Sequence, residues 1–134
     1  MLLTNALQGL ICGPVRNQEG GPVEKVVAAG GFGGDGLVST TDIYDVDSNM
    51  WSKGTPLPVP LAFTAVVPYK TTFLVVGGET YDRYSDKKAK STDKVFLYDT
   101  SGEWTEMTHM KLSQPKSWVA AMLVPSSLFD LDEE

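Results

Sequence analysis

Three stretches of the sequence hold residues at spacings that chemistry uses. Gly31-Phe32-Gly33-Gly34-Asp35-Gly36 fits the G-x-G-x-x-G pattern of a dinucleotide-binding turn and follows an apolar run. Such a turn works only when a helix opens directly after it, because the pyrophosphate rests on that helix's first amides. Leu37-Val38-Ser39-Thr40-Thr41-Asp42-Ile43-Tyr44 follows instead, β-branched and without a helical stripe, so the glycines read as a loop between strands. Asp45-x-Asp47-x-Asn49 begins like a calcium loop. The sixth position, where glycine is needed, is Met50, and the twelfth, where glutamate is needed, is Pro56. That segment is a turn. His109 and Cys12 are each the sole residue of their type, too few for a Ser-His-Asp arrangement, a cysteine zinc site or a disulfide framework. No serine or cysteine motif points to His109, and Cys12 falls in an expected inner strand. No catalytic, cofactor or metal site is expected.

Composition narrows the classes further. The chain has 134 residues, 42% of them hydrophobic and 21% charged, enough apolar content to fold. A net charge of −6 disfavours general binding to nucleic acid or anionic membrane. No apolar run reaches the roughly 18 residues of a membrane helix. The opening Met1-Leu2-Leu3-Thr4-Asn5 is a poor signal peptide, and a chain without disulfides leans towards the cytoplasm, although the compartment stays open. Thirteen glycines and eight prolines favour turns over long helices.

The elements that must carry these residues emerge from a repeat. Val26-Val27-Ala28-Ala29-Gly30-Gly31 precedes Thr41-Asp42-Ile43-Tyr44-Asp45 and Met50-Trp51. Phe73-Leu74-Val75-Val76-Gly77-Gly78 precedes Lys94-Val95-Phe96-Leu97-Tyr98-Asp99 and Glu103-Trp104-Thr105 in the same order. The glycine pairs lie 47 residues apart and the tryptophans 53. Phe63-Thr64-Ala65-Val66-Val67 leads into the second copy after Pro56, Pro58 and Pro60. Trp118 to Val124 holds the matching place after Pro115, and Leu7 to Ile11 is the less marked first instance. Each unit therefore reads as four short strands, a to d, and no segment keeps a helical period.

A period near 50 with Gly-Gly, Tyr and Trp at these offsets resembles the kelch repeat, one blade of a β-propeller. The signature residues are Gly30, Gly31, Tyr44, Trp51, Gly77, Gly78, Tyr98 and Trp104. The resemblance implies an all-β fold of kelch-type blades within residues 5–125: a first blade over 5–56, a second over 60–108, and the inner strand of a further or closing blade over 116–124. Residues 126–134, rich in Asp and Glu, are expected to form a flexible tail. Propellers have 4–8 blades, so this stretch is expected to be an incomplete ring. It would be a C-terminal part of a larger propeller or a protomer that self-associates, and alone it should expose apolar surface and aggregate.

The resemblance also implies a function. Kelch propellers serve as interaction scaffolds, and the direction of the strands places the b–c and d–a loops on one face, where a protein partner would bind. In kelch substrate adaptors a basic or polar residue at the start of strand a grips acidic peptides; here Phe63 and Trp118 occupy those positions, which suits a flatter, apolar contact. The long b–c loop from Glu79 to Lys94 carries net charge +1 while the remainder carries −7. It adds Tyr81, Arg83, Tyr84, Lys87 and Lys88 as partner-binding candidates. The expected function is therefore a non-enzymatic protein-interaction scaffold, with no cofactor, nucleic acid or membrane. The alternative is part of a propeller enzyme acting on a carbohydrate, of oxidase or mutarotase type. A copper oxidase needs several His and Tyr ligands, which one histidine cannot supply.

Overall fold

A computed structural model describes residues 6–81 and 88–125. Four strands make the first sheet: β1 (Ile11–Arg16), β2 (Val23–Ala29), β5 (Thr41–Asp45) and β6 (Met50–Lys53), antiparallel in the order β1-β2-β5-β6. Two short strands, β3 (Phe32–Gly33) and β4 (Gly36–Leu37), form a small hairpin between β2 and β5. The second sheet repeats this plan with β7 (Ala65–Tyr69), β8 (Thr72–Val76), β11 (Val95–Tyr98) and β12 (Trp104–Glu106). Its b–c connection again holds a hairpin, β9 (Glu79–Tyr81) with β10 (Ala89–Ser91). The only helical turn among the described residues is 3-10, Thr108–Met110. These are two four-stranded propeller blades, and the sheets do not close into a ring.

Cross-strand partners share a face of the sheet, which tells how the blades pack. Blade 1 turns Ile11, Val27 and Ala29 towards Phe73, Val75, Phe96, Tyr98 and Trp104 of blade 2, and together they form the main core. Gly13 makes room for it. A Cβ there would stand 2.4 Å from the Phe73 ring, so only glycine lets that ring press on β1. Phe73, Tyr98 and Trp104 also pack on one another, with centroids 4.8 to 6.0 Å apart.

The glycine pairs end the second strand of each blade as expected, with φ of 62° and 110° at Gly30 and Gly31, and 65° and 105° at Gly77 and Gly78. Both side chain and main chain approach them closely; a Cβ on Gly78 would lie 2.5 Å from the Thr64 methyl and 2.7 Å from the Ala62 carbonyl oxygen. A Cβ on Gly30 would lie 2.2 Å from the Leu61 carbonyl oxygen. Gly31 N–H donates to that carbonyl, and Gly78 N–H donates to the Lys116 carbonyl in the same way. The glycines thus dock each blade on the segment leading into the next.

Two sequence expectations shift. The inner strand of blade 1 runs from Ile11 to Arg16, not from Leu7 to Ile11. Gln8 instead bridges Phe32, in the lead-in position that Ala62 holds in blade 2 by bridging Glu79. Cys12 does lie in the inner strand and is exposed. At the other end, Lys116 bridges Thr92, but residues 117–125 join no ladder, because among the described residues no later strand exists to pair with them. Met122, Leu123 and Val124 are consequently exposed.

Candidate partner-binding face

The lead-ins to the two inner strands and the segment after Pro115 turn sharply at equivalent residues. Gly9, Phe63 and Trp118 have φ of 64°, 55° and 57°. Glycine adopts this region freely, whereas a bulky L-residue there costs about 1–3 kcal/mol. Main-chain bonds hold the turns in succession. Phe63 N–H donates to the Gly9 carbonyl at 3.0 Å, and Trp118 N–H donates to the Phe63 carbonyl at 2.9 Å. Because the three turns follow one another, their side chains stack. The Phe63 ring covers Gly9, where a Cβ would come within 2.5 Å of it. The Trp118 indole lies on Phe63 with centroids 3.9 Å apart and planes 11° from parallel. Trp118 remains 72% exposed, so one indole face is covered and the other is open.

Glu79 joins this stack. It follows the glycine pair of blade 2, and its main chain exchanges two hydrogen bonds with Ala62, the residue before Phe63. Its Oε1 accepts the Trp118 Nε1–H at 3.2 Å. Nearby, Ser91 of β10 and Ser117 share a side-chain hydrogen bond of 3.0 Å, tying the b–c hairpin to the lead-in. Near these residues opens a cleft of about 580 Å³, lined by Val59, Pro60, Pro115, Thr80, Tyr81 and the 90–94 segment.

Of the other candidates, Tyr81 and Lys88 are among the described residues. Tyr81 bends towards blade 1, where its hydroxyl accepts the Leu37 N–H at 2.6 Å above Gly36. It thereby separates the cleft from a second hollow of about 470 Å³ lined by residues 32–37. Lys88 is exposed beyond the hairpin. Arg83, Tyr84 and Lys87 lie outside the described residues. Sequence reasoning missed Glu79 and the two serines. Only the position of Glu79 directly after Gly78 hinted that it would reach the rim.

Charges on this side of the molecule are partly spoken for. Lys94 pairs with Glu106 at 2.8 Å and Lys111 with Asp93 at 3.4 Å. On the opposite side, the c–d turns hold the acids that sequence assigned to them. Ser48 donates to Asp45 from its N–H and its hydroxyl and keeps that carboxyl below the usual carboxylate range. The Ser101 hydroxyl, with the Glu103 amide, does the same for Asp99. Among the described residues no three His, Cys, Asp or Glu side chains gather as metal ligands, and no helix is long and apolar enough to cross a membrane.

Comparison with known proteins agrees with this architecture. No family model matches the chain. It is 26% identical over 107 residues to spermatocyte protein spe-26 of Caenorhabditis elegans, a match covering 80% of this chain and 17% of that protein. It is 27% identical over 89 residues to kelch repeat and BTB domain-containing protein 12 of Danio rerio, covering 64% and 14%. The Homo sapiens protein of that name is 31% identical over 81 residues, covering 58% and 13%. The chain spans less than a fifth of the length of these curated relatives. Two of these relatives are kelch-repeat proteins by name, and the two four-stranded antiparallel sheets have the plan of propeller blades.

Proposed function

We propose that this chain is a non-enzymatic interaction scaffold that binds a protein partner through its b–c and d–a loops. The observation that carries this reading is the Phe63–Trp118 stack: two aromatic rings in a costly backbone conformation, the Trp118 ring largely open to solvent, near a proline-lined cleft. Large rigid aromatics of this kind are the residues that dominate protein interfaces. The likeness to kelch-repeat proteins supports the same reading. A displayed peptide library, selected on the full chain and mapped by cross-linking, tests it. Cross-links should concentrate at Phe63, Trp118 and the cleft; binders that map only to the c–d turns would overturn it.

The blades belong, on this reading, to a larger propeller, completed by further blades or by association. Residues 116–124, with Trp118 at the turn position that Gly9 and Phe63 hold in the blades, would serve as the inner strand of a further blade. Their exposed apolar side chains support this. Light-scattering mass after gel filtration checks it: the isolated chain should associate or aggregate, and a stable 14.5 kDa monomer would contradict the idea.

A further inference from the structure

Among the described residues the Trp118 indole is covered by Phe63 on one face and exposed on the other, and a carboxylate is bonded to its edge. We propose that Trp118 and Glu79 form a seat for a cationic side chain, an arginine guanidinium carried by an extended segment of the partner. This rests on reading the rim as a protein-binding face and names what that face takes.

The chemistry favours a planar cation. The indole is the strongest of the aromatic cation acceptors, and a guanidinium can lie flat on it while its edge N–H groups remain free to bond. Glu79 supplies the acceptor. Its Oε1 takes the indole N–H, and its second oxygen has no hydrogen bond among the described residues. Donating that N–H to a carboxylate also enriches the ring in electron density, which strengthens its hold on a cation above it. An anionic side chain would meet both the negative face of the ring and the Glu79 charge. A neutral one would leave the free carboxylate oxygen unused.

The rest of the rim gives the segment a path. Thr80, next to Glu79, and Pro115, close before Trp118, both line the 580 Å³ cleft, and Val59 and Pro60 add apolar surface to it. Of the nearby cations, Lys94 is paired with Glu106 and Lys111 with Asp93, and Lys90 lines the cleft. Lys116 is exposed, and its main chain is fixed to Thr92 and Gly78.

Peptides of Gly and Ser with one central residue varied among Arg, citrulline, Lys, Glu, Leu and Pro provide the probe, titrated into the full chain while the three indole N–H resonances are followed. The Arg peptide should move the Trp118 resonance saturably and bind about fivefold tighter than its citrulline isostere, with Lys between. Glu79→Gln and Trp118→Leu should each weaken the Arg peptide by about three- to tenfold while the Trp51 and Trp104 resonances stay in place, showing an intact fold. Citrulline binding as well as Arg, or Glu binding better, would overturn the cationic seat. If Leu or Pro peptides alone move Trp118, the scaffold reading stands and the cation falls. If no peptide moves any rim resonance, both fall.

Discussion

Trp51 and Trp104 hold the same place in their blades, each opposite a tyrosine across the c–d ladder, yet their surroundings differ. The Trp104 indole N–H donates to the Thr55 carbonyl at 3.0 Å and the Thr41 hydroxyl at 3.3 Å, both in blade 1. Its ring is buried against Tyr98 and Phe73. Trp51 packs on Tyr44 at 5.3 Å, is half-buried, and finds no acceptor among the described residues. The difference comes from the neighbour and not from the blade. Blade 2 has blade 1 to lean on. The matching face of blade 1, with Val26, Tyr44 and Trp51, leans on nothing described here. A propeller blade therefore completes its polar bookkeeping only through the blade before it.

That asymmetry can be broken most strongly at Phe73. Phe73→Ala removes a fully buried ring seated on Gly13 and should cost about 3–5 kcal/mol. Val26→Ala, its counterpart in blade 1, is half-buried and should cost about 1 kcal/mol or less. Urea-unfolding midpoints compare the two directly, and equal losses would mean that the exposed face of blade 1 is covered in solution. Trp104→Phe leaves the Thr55 carbonyl without its donor and should cost about 1–2 kcal/mol. Trp51→Phe should stay within about 0.5 kcal/mol by the same measurement.

The smallest expected effect concerns acid. Asp45 and Asp99 are held below the usual carboxylate range in the folded chain by hydrogen bonds within their turns. Their contribution is full above the unfolded value of about 4 and is lost as the pH falls through the lower folded value. A urea midpoint followed downwards from about pH 5 should therefore decline, and Asp99→Asn should flatten part of that decline. An unchanged slope in Asp99→Asn would show that the turn carboxylate does not report on folding. Both groups are exposed, so the effect is slight.

The blades were legible because their signature is local chemistry. Gly30, Gly31, Gly77 and Gly78 mark left-handed backbone, and the Tyr–Trp pairs mark a c–d ladder, whatever surrounds them. The inner strand of blade 1 was harder to place, because Gly13, Pro14 and Arg16 carry little strand preference. Pairing with β2 makes them a strand, and the Phe73 ring, sixty residues away in sequence, explains the glycine. The b–c hairpins were hidden for the same reason, since β3 and β4 are two residues each. Phe63 and Trp118 could be singled out, but their contact could not. It depends on how far each blade is rotated from the last, and no local pattern encodes that angle.

The bonds from Phe63 to Gly9 and from Trp118 to Phe63 join main chain to main chain. No substitution other than proline deletes them. One position in each repeat can therefore hold nothing, a phenyl or an indole while the blades keep their spacing. The rim is then a keyboard on a fixed frame: its chemistry can be rewritten one blade at a time, and the frame does not have to be rebuilt for the new text.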